Sequence, residues 1–408
     1  MLTTSSEKST FKILHCSIAL AVGGEQKQLA KVLSYFDRKH FQSIVCCIRR
    51  FGYIEPTIQN LASKFICLQV GSRYNLLGEV RRLRRVIKEQ DIDLIVTGIF
   101  GSEFSPLLTA LIARVPAAAF LTTTYDPGER SAAANGSAIL YWKSRVCYIV
   151  HAILARLVKV HYIAYSESIK ESAIKNLHLP PERVSIIPLG VNPDEFDARL
   201  LPRDTTTRLK DELGLHGAHP ILLNIARLSA VKGQKDLLEV MPQILAHFPR
   251  AKLLIAGDGT SEFVGELTSL RDHLSLQGHV QLLGHRDDIA ALLHISDIFV
   301  FTSYYEGLPG AIIEAMAAGK PVVAFDIPSI RELVKDGNTG ILVRERNIVL
   351  FAESIVQLAE HPDTARDMGE RARQIVQREF DIRHNIKGLE AILKRMLMRP
   401  SGQDENQT

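Results

Sequence analysis

Short apolar runs rich in Ile and Val alternate with segments of helical period along almost the whole chain. In the first half, residues 12–16, 43–48, 93–96, 117–121, 162–165 and 185–187 read as strands. Segments 24–35, 76–89, 104–113 and 138–157 read as helices between them. The second half repeats the grammar, with strands predicted at 221–225, 252–256, 280–283, 298–301, 322–324 and 341–343. Its helices are predicted at 234–246, 261–275, 289–294, 310–318, 347–359 and 365–378. Strands that are continuous apolar runs, separated by helices, imply parallel sheets covered on both faces.

Between the two series lies 188–208, with Pro188, Gly190, Pro193, Pro202 and a Thr run, which is linker chemistry. A chain of 408 residues exceeds one ordinary core, so two domains meeting near residue 195 are expected. The tail 399–408 is polar and expected to be disordered. Two facing α/β sheets would put strand C-termini and helix N-termini around one cleft, where a phosphate-bearing ligand is well received.

Composition narrows the class. With 46% hydrophobic and 23% charged residues the chain has the balance of a soluble globular protein. The start, MLTTSSEKST, has no signal-peptide layout. The longest apolar stretch, 146–160, is interrupted by His151, Arg156 and Lys159 and is too short to span a bilayer. Five cysteines (Cys16, Cys46, Cys47, Cys67, Cys147) sit in apolar runs without C-x-x-C spacing, which suits reduced thiols in a cytoplasmic protein. Lys and Arg outnumber acids in the first half and are dense at Arg81, Arg82, Arg84, Arg85 and Lys88. That is either a solvated helix face or a surface for anionic partners such as the inner face of the plasma membrane. No nucleic-acid module accompanies the charge, and nucleic acid is not expected as a partner.

The densest chemistry is Glu306-Gly-Leu-Pro-Gly-Ala-Ile-Ile-Glu314, after the strand at 298–301. Pro309 suits a first helical position, and Gly307 and Gly310 admit close backbone approach. The helix start then offers N–H groups at Gly310, Ala311 and Ile312 to an anion, flanked by two carboxylates. On spacing alone, Glu314 is equally well a surface residue, and Glu306 a favourable charge beside a helix N-terminus.

Arg227 and Lys232-Gly233 fall between the first strand and first helix of the second half, where an Arg fork and a compact Lys charge can hold a diphosphate. The alternative is a solvated basic loop. Gly23-Gly24-Glu25 follows the first strand, as a phosphate cradle or a tight turn, and lacks the G-x-G-x-x-G dinucleotide pattern. Gly257-Asp258-Gly259 is a turn first and a nucleotide wall second. Asp91-Ile-Asp93 precedes a strand and reads as a strand-entry turn, not a metal site. No Walker A, H-E-x-x-H or G-x-S-x-G motif occurs.

Taken together these segments resemble the retaining glycosyltransferases of family 4 (glycosyl transferases group 1). The resemblance also rests on Ile187-Pro-Leu-Gly-Val-Asn192, Glu314-Ala-Met-Ala-Ala-Gly-Lys-Pro-Val322 and Glu332-Leu-Val-Lys-Asp-Gly-Asn-Thr-Gly340. It implies the α/β GT-B fold, two Rossmann-like doubly wound domains facing a central cleft. Residues 1–195 would form the acceptor-binding domain, completed by a returning helix at about 380–398. Residues 196–379 would bind the nucleotide-sugar donor. Arg227 and Lys232 would then hold the diphosphate and Glu306 the donor sugar, with backbone amides of Leu308, Gly310 and Ala311 nearby. Glu314 would take the ribose, and Gly257 and Gly24 would line the donor site. The resemblance implies no cofactor and no metal, since the basic pair supplies the charge. UDP is the expected nucleotide, and the acceptor a polysaccharide, lipid-linked, glycan or small-molecule precursor.

One departure stands out. Many family members carry His in a Thr-x-His-Asp context facing the reacting sugar, whereas this chain reads Thr122-Thr-Thr-Tyr125-Asp126. Tyr125 and Asp126 would thus take the acceptor side, and a phenol with a pKa near about 10 is a poor general base. Two alternatives share the fold: a nucleotide-sugar 2-epimerase, and a non-catalytic nucleotide-sugar-binding subunit.

Overall fold

The computed structural model describes residues 10–19, 24–50, 55–70, 75–98, 104–125, 138–188 and 190–398. They fall into two units, one of residues up to 188 together with the C-terminal segment from Ile382, the other from Gly190 to Asp381.

The first unit is built on seven parallel strands, β1 (Phe11–Ala19), β2 (Phe41–Arg50), β3 (Lys64–Cys67), β4 (Leu94–Gly98), β5 (Ala117–Leu121), β6 (Val160–Ala164) and β7 (Val184–Ile186), in the order β3-β2-β1-β4-β5-β6-β7. The second has six, β8 (Ile221–Ile225), β9 (Lys252–Ala256), β10 (Val280–Gly284), β11 (Ile298–Phe301), β12 (Val322–Phe325) and β13 (Gly340–Val343), in the order β10-β9-β8-β11-β12-β13. In both, the strand order reverses beside the first strand, between β1 and β4 and between β8 and β11. Right-handed crossovers then run to opposite faces, leaving a crevice at the strand C-termini of that switch point.

Burial follows the apolar runs. All five residues of β4 are buried, as are all four of β11 and of β12, as expected for strands covered on both sides. The C-terminal helix Ile382–Met398 joins the first unit through Ile382, Ile386, Leu389 and Leu393, one helical face packed with Val32 and Phe36. Glu390 accepts from the Asp37 N–H at 2.6 Å, and Asn385 donates to the Pro188 carbonyl at 3.3 Å.

The segment 188–208 is more ordered than linker chemistry predicts. Val191 bridges to Asp381, 3-10 turns occupy Pro193–Phe196 and Ala198–Leu200, and a helix begins at Thr205. The prolines sit where turns accept them. Asn192 caps the first turn, and Asp197 accepts from the Arg199 N–H at 2.9 Å and pairs with Arg373 at 3.3 Å. β3 and the helices Glu55–Leu61, Glu167–Leu177 and Pro328–Leu333 also lie outside the predicted elements. Asp91 ends helix Leu76–Gln90 in the left-handed region (φ 55°), and Asp93 accepts from the Lys12 N–H at 2.8 Å. The acid pair is therefore a helix stop and a strand entry. Residues 399–408 lie outside the described residues.

Candidate active site

The second unit's switch point carries the sequence's basic and acidic candidates. β8 ends at Ile225, and the loop to helix Gln234–His247 holds Arg227, Lys232 and Gly233. β11, its neighbour, ends at Phe301, and the loop to helix Gly310–Ala317 holds Glu306. Pairing of the two strands therefore brings the loops side by side.

Hydroxyl groups then lace them together. Thr302 Oγ1 donates to the Gly233 carbonyl at 2.8 Å, Ser303 Oγ to the Val231 carbonyl at 3.3 Å, and the Tyr304 N–H to that same carbonyl at 3.0 Å. Thr302 and Ser303 are fully buried, so these bonds satisfy loop carbonyls that water does not reach. Gly233 sits in the left-handed region (φ 64°), and a Cβ there would collide with the Thr302 carbonyl. Gln234, also fully buried, holds the other end of the loop, donating to the Arg227 carbonyl at 3.0 Å and accepting from the Ser229 N–H at 3.4 Å.

The lacing sets Lys232 Nζ 2.5 Å from Glu306 Oε1, with side-chain exposures of only 16% and 12%. Two sequence candidates with separately predicted roles are thus one ion pair, mostly withdrawn from water. Such a pair is geometrically firm and costly to leave half-made. Behind it, the Tyr304 hydroxyl bonds the Asp236 carboxylate, and the Arg346 guanidinium lies over the Tyr304 ring at 5.3 Å. Burial raises the Asp236 pKa above the ordinary carboxylate value, and burial together with the Asp236 bond pushes Tyr304 up to about 12.

The remaining candidates are placed as follows. Arg227 is exposed beside this pair of loops. Gly257 directly follows β9, and its φ of 145° together with the nearby Ala226 carbonyl leaves room for no Cβ. A Cβ on Gly259 would likewise stand only 2.6 Å from Leu228 Cβ. Both glycines answer to close packing against the Arg227 loop. Leu308 is buried; Pro309 is the N-cap of the following helix and not its first residue. As a result the Pro309 carbonyl takes the Ile312 N–H at 3.1 Å, leaving Gly310 and Ala311 as the helix-start donors without an intrahelical acceptor. A Cβ on Gly310 would meet nothing within 4 Å. Glu314 is half-buried on the same helix.

In the first unit, Gly24 opens helix Gly24–Tyr35, and Gly23 and Asp126 lie outside the described residues. Tyr125 is fully buried, its N–H on Ser172 Oγ at 2.7 Å and its ring edge-on to Tyr148 at 6.1 Å.

Sequence reasoning did not single out Thr302, Ser303, Gln234, Asp236 and Tyr304 as parts of the site. Hydroxyl and amide residues directly after an apolar strand were the available signal.

Comparison with known proteins bears on this arrangement. Residues 22–195 match the model of Glycosyltransferase Family 4, and residues 205–375 that of Glycosyl transferases group 1. N-acetyl-alpha-D-glucosaminyl L-malate synthase of Bacillus anthracis is 32% identical over 185 residues, 45% of this chain. That match spans about half, 48%, of the synthase's own length. The UDP-Gal:alpha-D-GlcNAc-diphosphoundecaprenol alpha-1,3-galactosyltransferase of Escherichia coli is 24% identical over 362 residues, covering 87% of this chain and 89% of that protein. The structure of Anabaena Alr3699/HepE with UDP and glucose superposes with a TM-score of 0.80 at 22% identity, over 94% of this chain and 100% of that one. With two doubly wound parallel sheets and family models matched in both halves, the chain belongs to the family 4, group 1 glycosyltransferases of GT-B fold.

Proposed function

We propose that this protein transfers a sugar from a UDP-sugar, with retention of anomeric configuration, to a lipid-linked, glycan or polysaccharide precursor. The observation that carries this reading is the Lys232–Glu306 pair, held between two laced loops at the switch point of the second sheet. An arriving diphosphate competes with Glu306 for the Lys232 ammonium, joined by the exposed Arg227 fork. The released Glu306 carboxylate then accepts from donor-sugar hydroxyls. Positive charge already in place stabilises the departing UDP, so the chain's own residues do what a metal does elsewhere. The Leu308, Gly310 and Ala311 amides and the dipole of their helix add to this, with Glu314 on the ribose and Gly257 shaping the wall. The first unit, with Gly24 at its helix start, takes the acceptor. With no strong base assigned there, the leaving phosphate accepts the acceptor's proton. The UDP bound in the Anabaena structure and the UDP-Gal named for the E. coli relative support the choice of nucleotide.

None of the five cysteines forms a disulfide, which supports a cytoplasmic setting. Among the described residues no helix is long and apolar enough to cross a membrane, and we place the protein peripherally at the inner face of an anionic bilayer.

The test is incubation with UDP-, GDP- and ADP-sugars, following nucleotide release and, with lipid-linked acceptors, the anomeric configuration of the product. Wild-type protein is expected to turn over a UDP-sugar. Lys232→Met and Glu306→Gln are each expected to lose about 100-fold or more in kcat while keeping the fold. Full activity in both variants would refute the site, and epimerised donor with no transfer would refute the reaction.

A further inference from the structure

The first unit leaves an apolar stripe uncovered. On helix Ala138–Leu157 the side chains of Val146, Ile149, Val150, Ile153 and Leu157 are 58%, 57%, 42%, 51% and 60% exposed. Their spacing of three and four residues puts them on one helical face. The opposite face, with Tyr148, His151, Ala152 and Ala155, is buried against the unit. The helix thus has two apolar faces and only one of them is used by the fold.

The neighbouring helices continue the feature. Ala138–Leu157 packs on Phe104–Ala113, which leaves Leu111 and Ile112 exposed, and that helix packs on Leu76–Gln90, which leaves Leu76 and Leu77 exposed. Elsewhere among the described residues the large exposed apolar side chains are Leu200, Val349, Leu350 and Met398. Scattered residues of that kind are ordinary on a soluble surface; a run of five on one helix face with two flanking pairs is not.

The charge around the stripe identifies its occupant. Exposed Arg145 and Arg156 stand on the stripe helix itself and Lys159 directly after it. Helix Leu76–Gln90 adds Arg81, Arg84, Arg85 and Lys88, all exposed, against Glu89 as its one exposed acid. A second copy of the same surface would bring like charges together, whereas an anionic bilayer accepts apolar side chains below its headgroups and basic ones among them.

We propose that this three-helix face of the first unit is a docking surface for anionic lipid bilayers, with Ala138–Leu157 lying in the interface plane. The stripe enters the headgroup–acyl boundary, and the flanking arginines and lysines remain at phosphate level. The proposal deepens the peripheral placement given above and needs none of its sugar chemistry. It is therefore tested without donor, and its failure would leave the transfer reading standing.

The experiment is sedimentation of the full chain with vesicles of phosphatidylcholine containing about a third phosphatidylglycerol, against phosphatidylcholine alone. We expect binding to the anionic vesicles and weakening of that binding with salt. Ile149→Glu with Ile153→Glu should lower the vesicle-bound to free ratio by at least about tenfold. Ile149→Gln with Ile153→Gln serves should the acidic pair misfold, and should lower it in the same direction. Val349→Glu, in the second unit, should bind as wild type. Absence of anionic-vesicle binding, or unchanged binding in a folded stripe variant, would overturn the proposal. So would equal loss in Val349→Glu, or a wild-type dimer that the stripe variant dissociates without any vesicle binding.

Discussion

The two units share a strand order and differ in where they spend their polar groups. In the second, hydroxyls, an amide and an ion pair knit two adjacent loops into a rigid site, with Thr302, Ser303 and Gln234 buried to that end. In the first, the buried polar side chains include two histidines, His15 and His151, and apolar side chains stand outside instead. A common sheet topology therefore fixes where a crevice lies and leaves its chemistry to the loops. It also leaves each unit with its own response to acid.

Burial lowers the pKa of His15 and of His151 from the ordinary 6.5 to about 4. His15 Nε2 meets Ser43 Oγ at 3.2 Å, and the His151 ring stands edge-on to Tyr162 at 5.7 Å. Between those two pH values the unfolded chain protonates these rings and the folded one does not. Their contribution is therefore full above pH 6.5 and is lost as the pH falls towards 4. Each shift corresponds to roughly 3 kcal/mol. Asp236 in the second unit works the other way: its raised pKa means the folded state binds the proton more tightly, so acidification favours that unit. His294, lowered by its own burial, partly offsets this. The largest effect expected is thus a first unit that melts before the second as pH falls from about 6.5 to 4. His151→Phe should flatten that fall by about half and stabilise the protein at every pH, because both ring nitrogens of His151 are buried without a hydrogen-bond partner. Calorimetry from pH 4 to 8 checks it; an unchanged acid limb in His151→Phe would dissolve the contrast.

The lacing of the second unit was only partly legible beforehand. Arg227, Lys232, Glu306 and Glu314 stand out as charges at strand–helix junctions, and the apolar runs mark all six strands of this unit. What locks Lys232 to Glu306 is contact between segments about seventy residues apart, which no local pattern encodes. In the first unit β3 is the strand the apolar runs do not mark: its residues Lys64–Cys67 open on an exposed lysine and none is fully buried, so the segment lacks the continuous Ile/Val run of strands such as β4. Position after a strand says where Tyr125 stands in the chain, and only the packed structure shows that its ring is buried. Helix Ala138–Leu157 was visible, yet apolar residues on both faces hid which of them the fold would leave outside.

A smaller effect probes the lacing itself. Gly233→Ala must hold a methyl group in the left-handed region against the Thr302 carbonyl. We expect a loss of about 1–3 kcal/mol in the second unit's stability, with the first unit's transition unmoved. Calorimetry at pH 7.5 separates the two. Equal loss in both transitions would mean that the units do not respond independently.

The smallest structural effect is the most informative about the site. Gly310, unlike Gly233 and Gly257, has a negative φ and open space where its Cβ would go. Nothing in the protein requires glycine there. As the first residue of its helix it gains little from glycine's freedom, so Gly310→Ala should leave the melting temperature within about a degree or raise it. If a phosphate or sugar lies against this helix start, the same methyl group occupies the ligand's space. The Michaelis constant for the nucleotide sugar should then rise by about tenfold, with the pH profile unchanged. Stability kept while donor affinity falls would assign the open space to the donor. Unchanged affinity would move the donor away from the helix start and leave the Lys232–Glu306 pair to hold it alone.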